Sequence, residues 1–320
     1  MKFVCVDGVP RYRDLAATFA ATILRPYGHD LVWYEEAAPD ADRFAELAAG
    51  ADGLLLYGLR GRFPAEVLDR CPTIKIVGYL GTGVARAVDV PAVRSRGVAV
   101  CNVPDYASDS VAELTVALLL AVARRLTEGD RTVRAGEWAR RPGRQLIGKQ
   151  LGVVGAGPIA AKVISRARGL GMRPVCWTRR PTPERAAALG VEFVELPALF
   201  AESDVVSLHL SHTPATDGLI SAQLLGTLKP DAIFVNTARA ELVDTAALYD
   251  LLRREAIFGA GLDVFDSEPP DLSALPLDAN LVLAPHAASV TAETFGVALR
   301  IGIENMRAFA AGQLVNEVTE

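Results

Sequence analysis

The sequence predicts an α/β protein with two doubly wound parallel-sheet domains. Short apolar runs alternate with stretches of helical period along nearly the whole chain, which is the pattern of successive βαβ units. The runs fall into two series, one ending near Val103 and the other starting at Gln150. A length of 320 residues suits two domains of ordinary size and exceeds the needs of one small core.

In the first series Lys2–Asp7, Gly53–Tyr57, Ile74–Gly78 and Val98–Val103 read as strands. Arg11–Leu24, Asp42–Ala49, Ala65–Asp69 and Val90–Arg96 read as the helices or helical turns between them. Asp109–Arg125 follows as the clearest helix start. Ser110 and Glu113 have capping-box spacing, and Val111, Leu114, Leu118 and Val122 form an apolar stripe. Arg131–Gly148, rich in Arg and Gly and holding Trp138, reads as an irregular arm. Leu151–Gly155, Pro174–Thr178, Val205–Leu210, Ala232–Asn236, Gly259–Val264 and Asn280–Ala284 are the strands of the second series, and a last helix spans about Thr291–Ala311.

Composition excludes several classes. Hydrophobic residues make up 51% and charged residues 22%, the balance of a soluble globular chain. The longest strictly apolar run, Val116–Ala123, is too short to cross a bilayer. Met1–Gly8 turns acidic and glycine-bearing after a few apolar residues, so no secretory leader is expected. With 33 Lys plus Arg against 38 Asp plus Glu, the net charge of −5 offers no general attraction for nucleic acid. Cys5, Cys71, Cys101 and Cys176 are scattered, with no pair at metal-ligand spacing. Buried thiols in a reducing cytoplasm are expected, with no metal site and no membrane or nucleic-acid partner.

The first chemical signal is Gly155-x-Gly157-x-x-Ala160, preceded by an apolar strand and followed by the helical pattern Val163, Ile164, Ala167, Leu170. In a Rossmann-type turn the first glycine allows the tight bend and the second lets a pyrophosphate approach the backbone. The third position keeps helix and sheet close. Pro158 suits the first helical turn, where its missing N–H has no intrahelical partner. The next strand ends in Thr178-Arg179-Arg180, with no Asp or Glu between Gly155 and Arg180. A hydroxyl and two guanidinium groups suit a ribose 2′-phosphate, whereas a ribose diol is best gripped by a carboxylate. NADP is therefore expected over NAD.

Three later strand ends carry acid–base chemistry. Asn236-Thr237-Ala238-Arg239 delivers an arginine, Asp263-Val264-Phe265-Asp266-Ser267-Glu268 a carboxylate cluster, and Pro285-His286 a histidine. Carboxyl ends of strands line the ligand crevice of open α/β sheets, so the three groups can converge. An arginine binds a carboxylate with a planar fork, and a histidinium can donate a proton to a carbonyl receiving hydride. A neighbouring carboxylate orients that histidine. Singly each has a bland alternative: Arg239 as an ion-pair partner, Glu268 as a loop charge, His286 as a structural histidine.

With these segments in order, together with Val-Cys-Asn-Val-Pro at 100–104 and Ser110-Val111-Ala112-Glu113, the chain resembles the D-isomer-specific 2-hydroxyacid dehydrogenases over almost its full length. The resemblance implies Arg239 as substrate ligand, His286 as acid/base and Glu268 as its partner. It implies cofactor contacts from Gly155, Gly157, Pro158, Ile159, Thr178, Arg179, Arg180, His209 and Asp263, the last near the nicotinamide carboxamide. Backbone N–H groups around Leu80 and Gly81 would take the substrate carboxylate. It also implies a split substrate domain (1–101 plus 290–320), an inserted dinucleotide-binding domain (102–289), and a homodimer built through 104–148.

Two departures bear on the substrate. The family's Asp-Asn after the first-domain Gly-x-Gly is missing from Gly81-Thr82-Gly83-Val84-Ala85-Arg86-Ala87-Val88-Asp89, which is one residue longer. Tyr57 stands where phosphoglycerate-type members often carry arginine, with Arg60 and Arg62 close by. The expected activity is hydride transfer between NADPH or NADH and a small 2-keto or 2-hydroxy acid. A D-3-phosphoglycerate dehydrogenase is the weaker enzymatic alternative, and a corepressor-like dinucleotide sensor is the non-enzymatic one. A methyltransferase, whose glycine turn can look alike, has no use for the Arg/Glu/His set.

Overall fold

The computed structural model describes residues 1–36, 38–57 and 62–319, with the backbone alone at Arg86. The chain divides into two compact units, Met1–Tyr106 with Thr291–Glu320, and Ala107–Val290.

In the first unit β1 (Lys2–Cys5), β2 (Asp30–Trp33), β3 (Gly53–Leu56), β4 (Ile76–Tyr79) and β5 (Ala99–Cys101) form a parallel sheet in the order β2-β1-β3-β4-β5. The connecting helices are α1 (Arg13–Phe19), α2 (Ala41–Leu47), α3 (Val67–Arg70) and α4 (Val90–Arg94). α1 continues through a widened turn, Ala20–Leu24. Strands buried on both faces need continuous apolar runs, which is why Leu54, Leu55 and Leu56 are all fully buried. β2 gave no sequence signal because it is a four-residue edge strand that begins with an exposed aspartate.

The second unit begins with α5 (Ser108–Ala123) and α6 (Leu126–Arg134). Its strands are β6 (Gln150–Val154), β7 (Arg173–Trp177), β8 (Glu192–Phe193), β9 (Val205–Leu208), β10 (Ile233–Asn236), β11 (Gly259–Leu262) and β12 (Leu281–Leu283). α7 (Pro158–Gly169), α8 (Pro183–Leu189), α9 (Leu196–Glu202), α10 (Ala222–Leu225) and α11 (Thr245–Arg253) connect them. The seven strands are parallel in the order β12-β11-β10-β9-β6-β7-β8, so the winding direction reverses between β6 and β9. Buried side chains cover both faces of this sheet, Phe200 and Phe234 in one cluster, Ile164 and Val235 in the other. The chain then returns to the first unit as α12 (Ala292–Ala310), capped by Thr291 and packed against β3 and β4.

The expected capping box on α5 is not formed. The helix starts two residues earlier, at Ser108, so Ser110 lies inside the first turn and its hydroxyl donates to the Ala107 carbonyl at 3.0 Å. Glu113 faces Arg166 of α7 instead, at 3.5 Å, beside the Asp109 pairs with Lys162 and Arg166. The arm is part helical, since α6 runs to Arg134, and Trp138 beyond it is exposed. Among the described residues no helix is long and apolar enough to cross a membrane.

α5 lies close on the sheet. A Cβ at Gly261 of β11 would stand 2.9 Å from Leu118 Cβ, inside contact distance, so glycine is what permits this approach. At the same level the buried hydroxyls of Thr115 and Thr237 meet at 2.9 Å, joining α5 to the turn after β10. Thr115→Val strands the Thr237 hydroxyl without its partner and is expected to cost about 1–2 kcal/mol in urea unfolding. The Thr115→Val, Thr237→Val double variant removes both polar groups and should recover most of that loss. Equal costs that simply add would show that the pair is not coupled.

Candidate active site

Every chemical segment of the second unit leaves the sheet at the carboxyl end of a strand. Beside the reversal point, β6 runs into Gly155 with φ of 109°, a backbone that disfavours any side chain. A Cβ there would also collide with the His209 carbonyl that follows β9, and His209 N–H donates to Val154 O at 2.8 Å. The two turns thus touch through backbone. Gly157 caps α7, Pro158 opens the helix, and a Cβ at Gly157 would meet open space. Ile159 is half-buried, and Ala160 is fully buried at the helix–sheet contact.

His209 packs with its Nε2 2.9 Å from Ser207 Oγ, and burial lowers its pKa to about 3. It is neutral at working pH and donates or accepts single hydrogen bonds without carrying charge. Cys176, on β7, is equally inert: burial pushes its thiol up to about 12.

At the end of β7, Thr178 is half-buried while Arg179 and Arg180 are exposed. Sequence reasoning missed a third arginine here. Arg185 of α8 donates to Thr178 Oγ1 at 3.3 Å, to Arg180 O at 2.6 Å and to Ala156 O at 3.2 Å. Its signal was present only indirectly, in Thr182-x-x-Arg185, where Thr182 Oγ1 caps the Arg185 N–H and so aims the first turn of α8 back at the strand end. Among the described residues none of these three arginines has a carboxylate within ion-pair distance. An open glycine turn at a helix N-terminus, with guanidinium groups close by, fits a nicotinamide dinucleotide.

The turn after β10 presents Arg239. Buried Asn236 holds it from both sides, accepting from Ala238 N–H at 2.9 Å and donating to Arg239 O at 2.8 Å. The half-buried Arg239 side chain donates to Ala238 O at 2.5 Å and has no carboxylate partner among the described residues. An ion-pair role within the unit is therefore not what holds it.

His286 and Glu268 come together. His286 Nδ1 lies 2.9 and 2.8 Å from the two Glu268 carboxylate oxygens, with both side chains about 30% exposed. His286 has φ of 51°, a left-handed backbone rare for a side-chain-bearing residue. Asp263, fully buried at the end of β11, accepts from Ala287 N–H at 2.8 Å and Ala288 N–H at 3.0 Å, which fixes the turn that carries His286. Burial raises the Asp263 pKa, against the lowering effect of those two bonds. This backbone role of Asp263, a residue expected to contact the cofactor, was not revealed by sequence alone.

Leu80 and Gly81 belong to the first unit, past β4. Leu80 N–H donates to Leu56 O and Gly81 N–H to Tyr79 O, each at 2.9 Å. Leu80 N–H thus continues the β3–β4 pairing, and Gly81 N–H closes a tight turn just after β4. Tyr57 packs edge-on against Tyr12 and Phe295, Arg62 pairs with Asp89 at 3.6 Å, and Arg60 lies outside the described residues.

The sequence model for "D-isomer specific 2-hydroxyacid dehydrogenase, NAD binding domain" matches residues 116–288. The chain is 40% identical over 291 residues to a glyoxylate reductase of Korarchaeum cryptofilum, covering 88% of this chain and 87% of that one. It is 40% identical over 279 residues to a D-3-phosphoglycerate dehydrogenase of Mycobacterium bovis, covering 87% of this chain and 52% of that relative. Among solved structures, the TT0316 protein of Thermus thermophilus superimposes with a TM-score of 0.84 at 36% identity over 100% of both chains. An acyclic imino acid reductase in complex with NADPH and D-Arg does so with a TM-score of 0.84 at 25% identity, again over 100% of both. The chain belongs to the D-isomer-specific 2-hydroxyacid dehydrogenase family and is an NAD(P)-dependent oxidoreductase.

Proposed function

We propose that the chain reduces a small, unphosphorylated 2-keto acid to the D-2-hydroxy acid with NADPH. The observation that carries this reading is the His286–Glu268 pair, on the same carboxyl edge of the sheet as an arginine whose charge no described carboxylate neutralises. When bound, the nicotinamide supplies hydride to the substrate carbonyl carbon. Arg239 binds the substrate carboxylate through its planar fork and orients the carbonyl beside it. Glu268 accepts a hydrogen bond from His286 Nδ1–H and orients the imidazolium, whose Nε2–H gives its proton to the carbonyl oxygen as the alkoxide charge develops, leaving a neutral imidazole. Asn236 and Asp263 hold the two loops so that neither group must reorganise during the reaction.

The likeness to a glyoxylate reductase over most of both chains favours a small substrate. A phosphorylated substrate would need cations where Tyr57 stands, and Arg62 nearby is already paired with Asp89. The cofactor preference rests on charge. A 2′-phosphate carries close to two negative charges, and the end of β7 offers Thr178, Arg179 and Arg180 in place of a carboxylate. A homodimer through 104–148 belongs to the same reading; Leu126, Val133 and Trp138 are exposed apolar side chains in that stretch.

His286→Ala should cut turnover by roughly two to four orders of magnitude while the NADPH dissociation constant stays nearly unchanged. Glu268→Gln should do less, because the proton carrier remains. Near-normal turnover in His286→Ala would remove the acid/base assignment.

Arg239→Lys keeps the charge but loses the fork, and should lose about 2–4 kcal/mol of transition-state stabilisation in kcat/KM. Unchanged kinetics with every accepted acid would return Arg239 to a purely structural role.

The wild type should bind NADPH more tightly than NADH by roughly 2–3 kcal/mol, less as salt rises. An Arg179→Ala, Arg180→Ala double variant should lose most of that preference. Equal wild-type affinities would contradict the reading of the β7 end.

A further inference from the structure

Arg179 and Arg180 are exposed side chains that a ligand would have to order, whereas Arg185 is already held. Its guanidinium spans two neighbouring strand ends. Ala156, whose carbonyl it meets, is the middle residue of the glycine turn after β6, and Thr178 is the first residue past β7. Those strands are direct neighbours, with Val154 opposite Trp177. The three acceptors are two carbonyls and a hydroxyl, none with a formal charge. They fix the guanidinium without neutralising it, and its remaining N–H donors are open to a further acceptor. A charge fixed in this way needs no ordering when a ligand arrives, which a free surface arginine does.

We propose that Arg185 is a cofactor-specificity residue, which positions Thr178 against the glycine turn and supplies a pre-ordered positive charge selecting a dinucleotide with a 2′-phosphate over one with a ribose diol. The proposal deepens the NADPH reading above and rests on it. A purely structural Arg185 would behave differently. Its loss would loosen the glycine turn, which both dinucleotides use, and weaken NADPH and NADH alike.

The test is the ratio of dissociation constants for NADPH and NADH, measured by fluorescence titration, with 2′,5′-ADP and 5′-AMP as probes of the adenosine end alone. Arg185→Met, which keeps the aliphatic stem, and Arg185→Ala should each lower the preference for NADPH by about tenfold, with NADH affinity moving less than about threefold. The same loss should appear for 2′,5′-ADP over 5′-AMP. Arg185→Lys keeps a charge without the fork and should stay closer to the wild-type ratio than Arg185→Met. If the wild type prefers NADPH and Arg185→Met keeps the full ratio, or weakens both dinucleotides equally, the proposal is overturned while the NADPH reading stands. A lysine variant further from wild type than the methionine variant also overturns it. A wild type with no preference defeats the NADPH reading and the proposal together.

Discussion

The chemistry of this protein depends on one constraint: all seven strands of the second unit run parallel. Parallel pairing sends every strand's carboxyl end to the same edge, and the reversal between β6 and β9 opens that edge. The glycine turn, Thr178, His209, Arg239, the Asp263–Glu268 stretch and His286 follow six different strands, yet all emerge there. The apolar layers above and below keep the edge rigid. Val154, Leu208 and Val235, at or near the last residues of their strands, are fully buried. Parallel pairing thus gathers these groups along one edge of the sheet before any loop is considered.

The loops then solve a smaller problem, which is to hold polar side chains without regular secondary structure. They do so with buried side chains bonded to backbone. Asn236 brackets the arginine turn, and Asp263 bonds two consecutive N–H groups behind His286. The left-handed backbone at His286 is held by these bonds and not by its own preference. Arg185 does the same between β7 and the glycine turn, using a guanidinium where the other two loops use an amide and a carboxylate. Each support bonds backbone and leaves the Arg239 and His286 side chains themselves unblocked by it.

Much of this was legible in the sequence because parallel strands announce themselves. A strand buried on both faces is a short apolar run, and the polar residue that ends it marks the edge, as with Asn236 after Ile233-Phe234-Val235. Gly155, Arg239, Glu268 and His286 could therefore be placed at strand ends from sequence, and the structure brings Glu268 and His286 together. What was not legible depends on contacts between distant segments. Arg185 meets Ala156 across 29 residues, Asp263 meets Ala287 across 24, and Thr115 meets Thr237 across 122. No local pattern encodes those partners. The edge strands β2 and β8 escaped for a different reason: four and two residues, partly exposed, are too short to show a period. Ser110 misled because its spacing to Glu113 satisfies a capping rule, while the helix gains its first turn earlier from Ser108.

The central claim is that this edge turns over substrate and does not merely hold a dinucleotide. The most direct measurement is loss of NADPH absorbance when the purified chain is mixed with glyoxylate, hydroxypyruvate, pyruvate and longer 2-keto acids in turn, with the handedness of any hydroxy-acid product determined. The account predicts consumption of NADPH with at least one of the small acids, and a D-configured product wherever the new centre is chiral. Tight NADPH binding with no consumption in the presence of any of these acids would contradict it, and would identify the protein as a dinucleotide sensor.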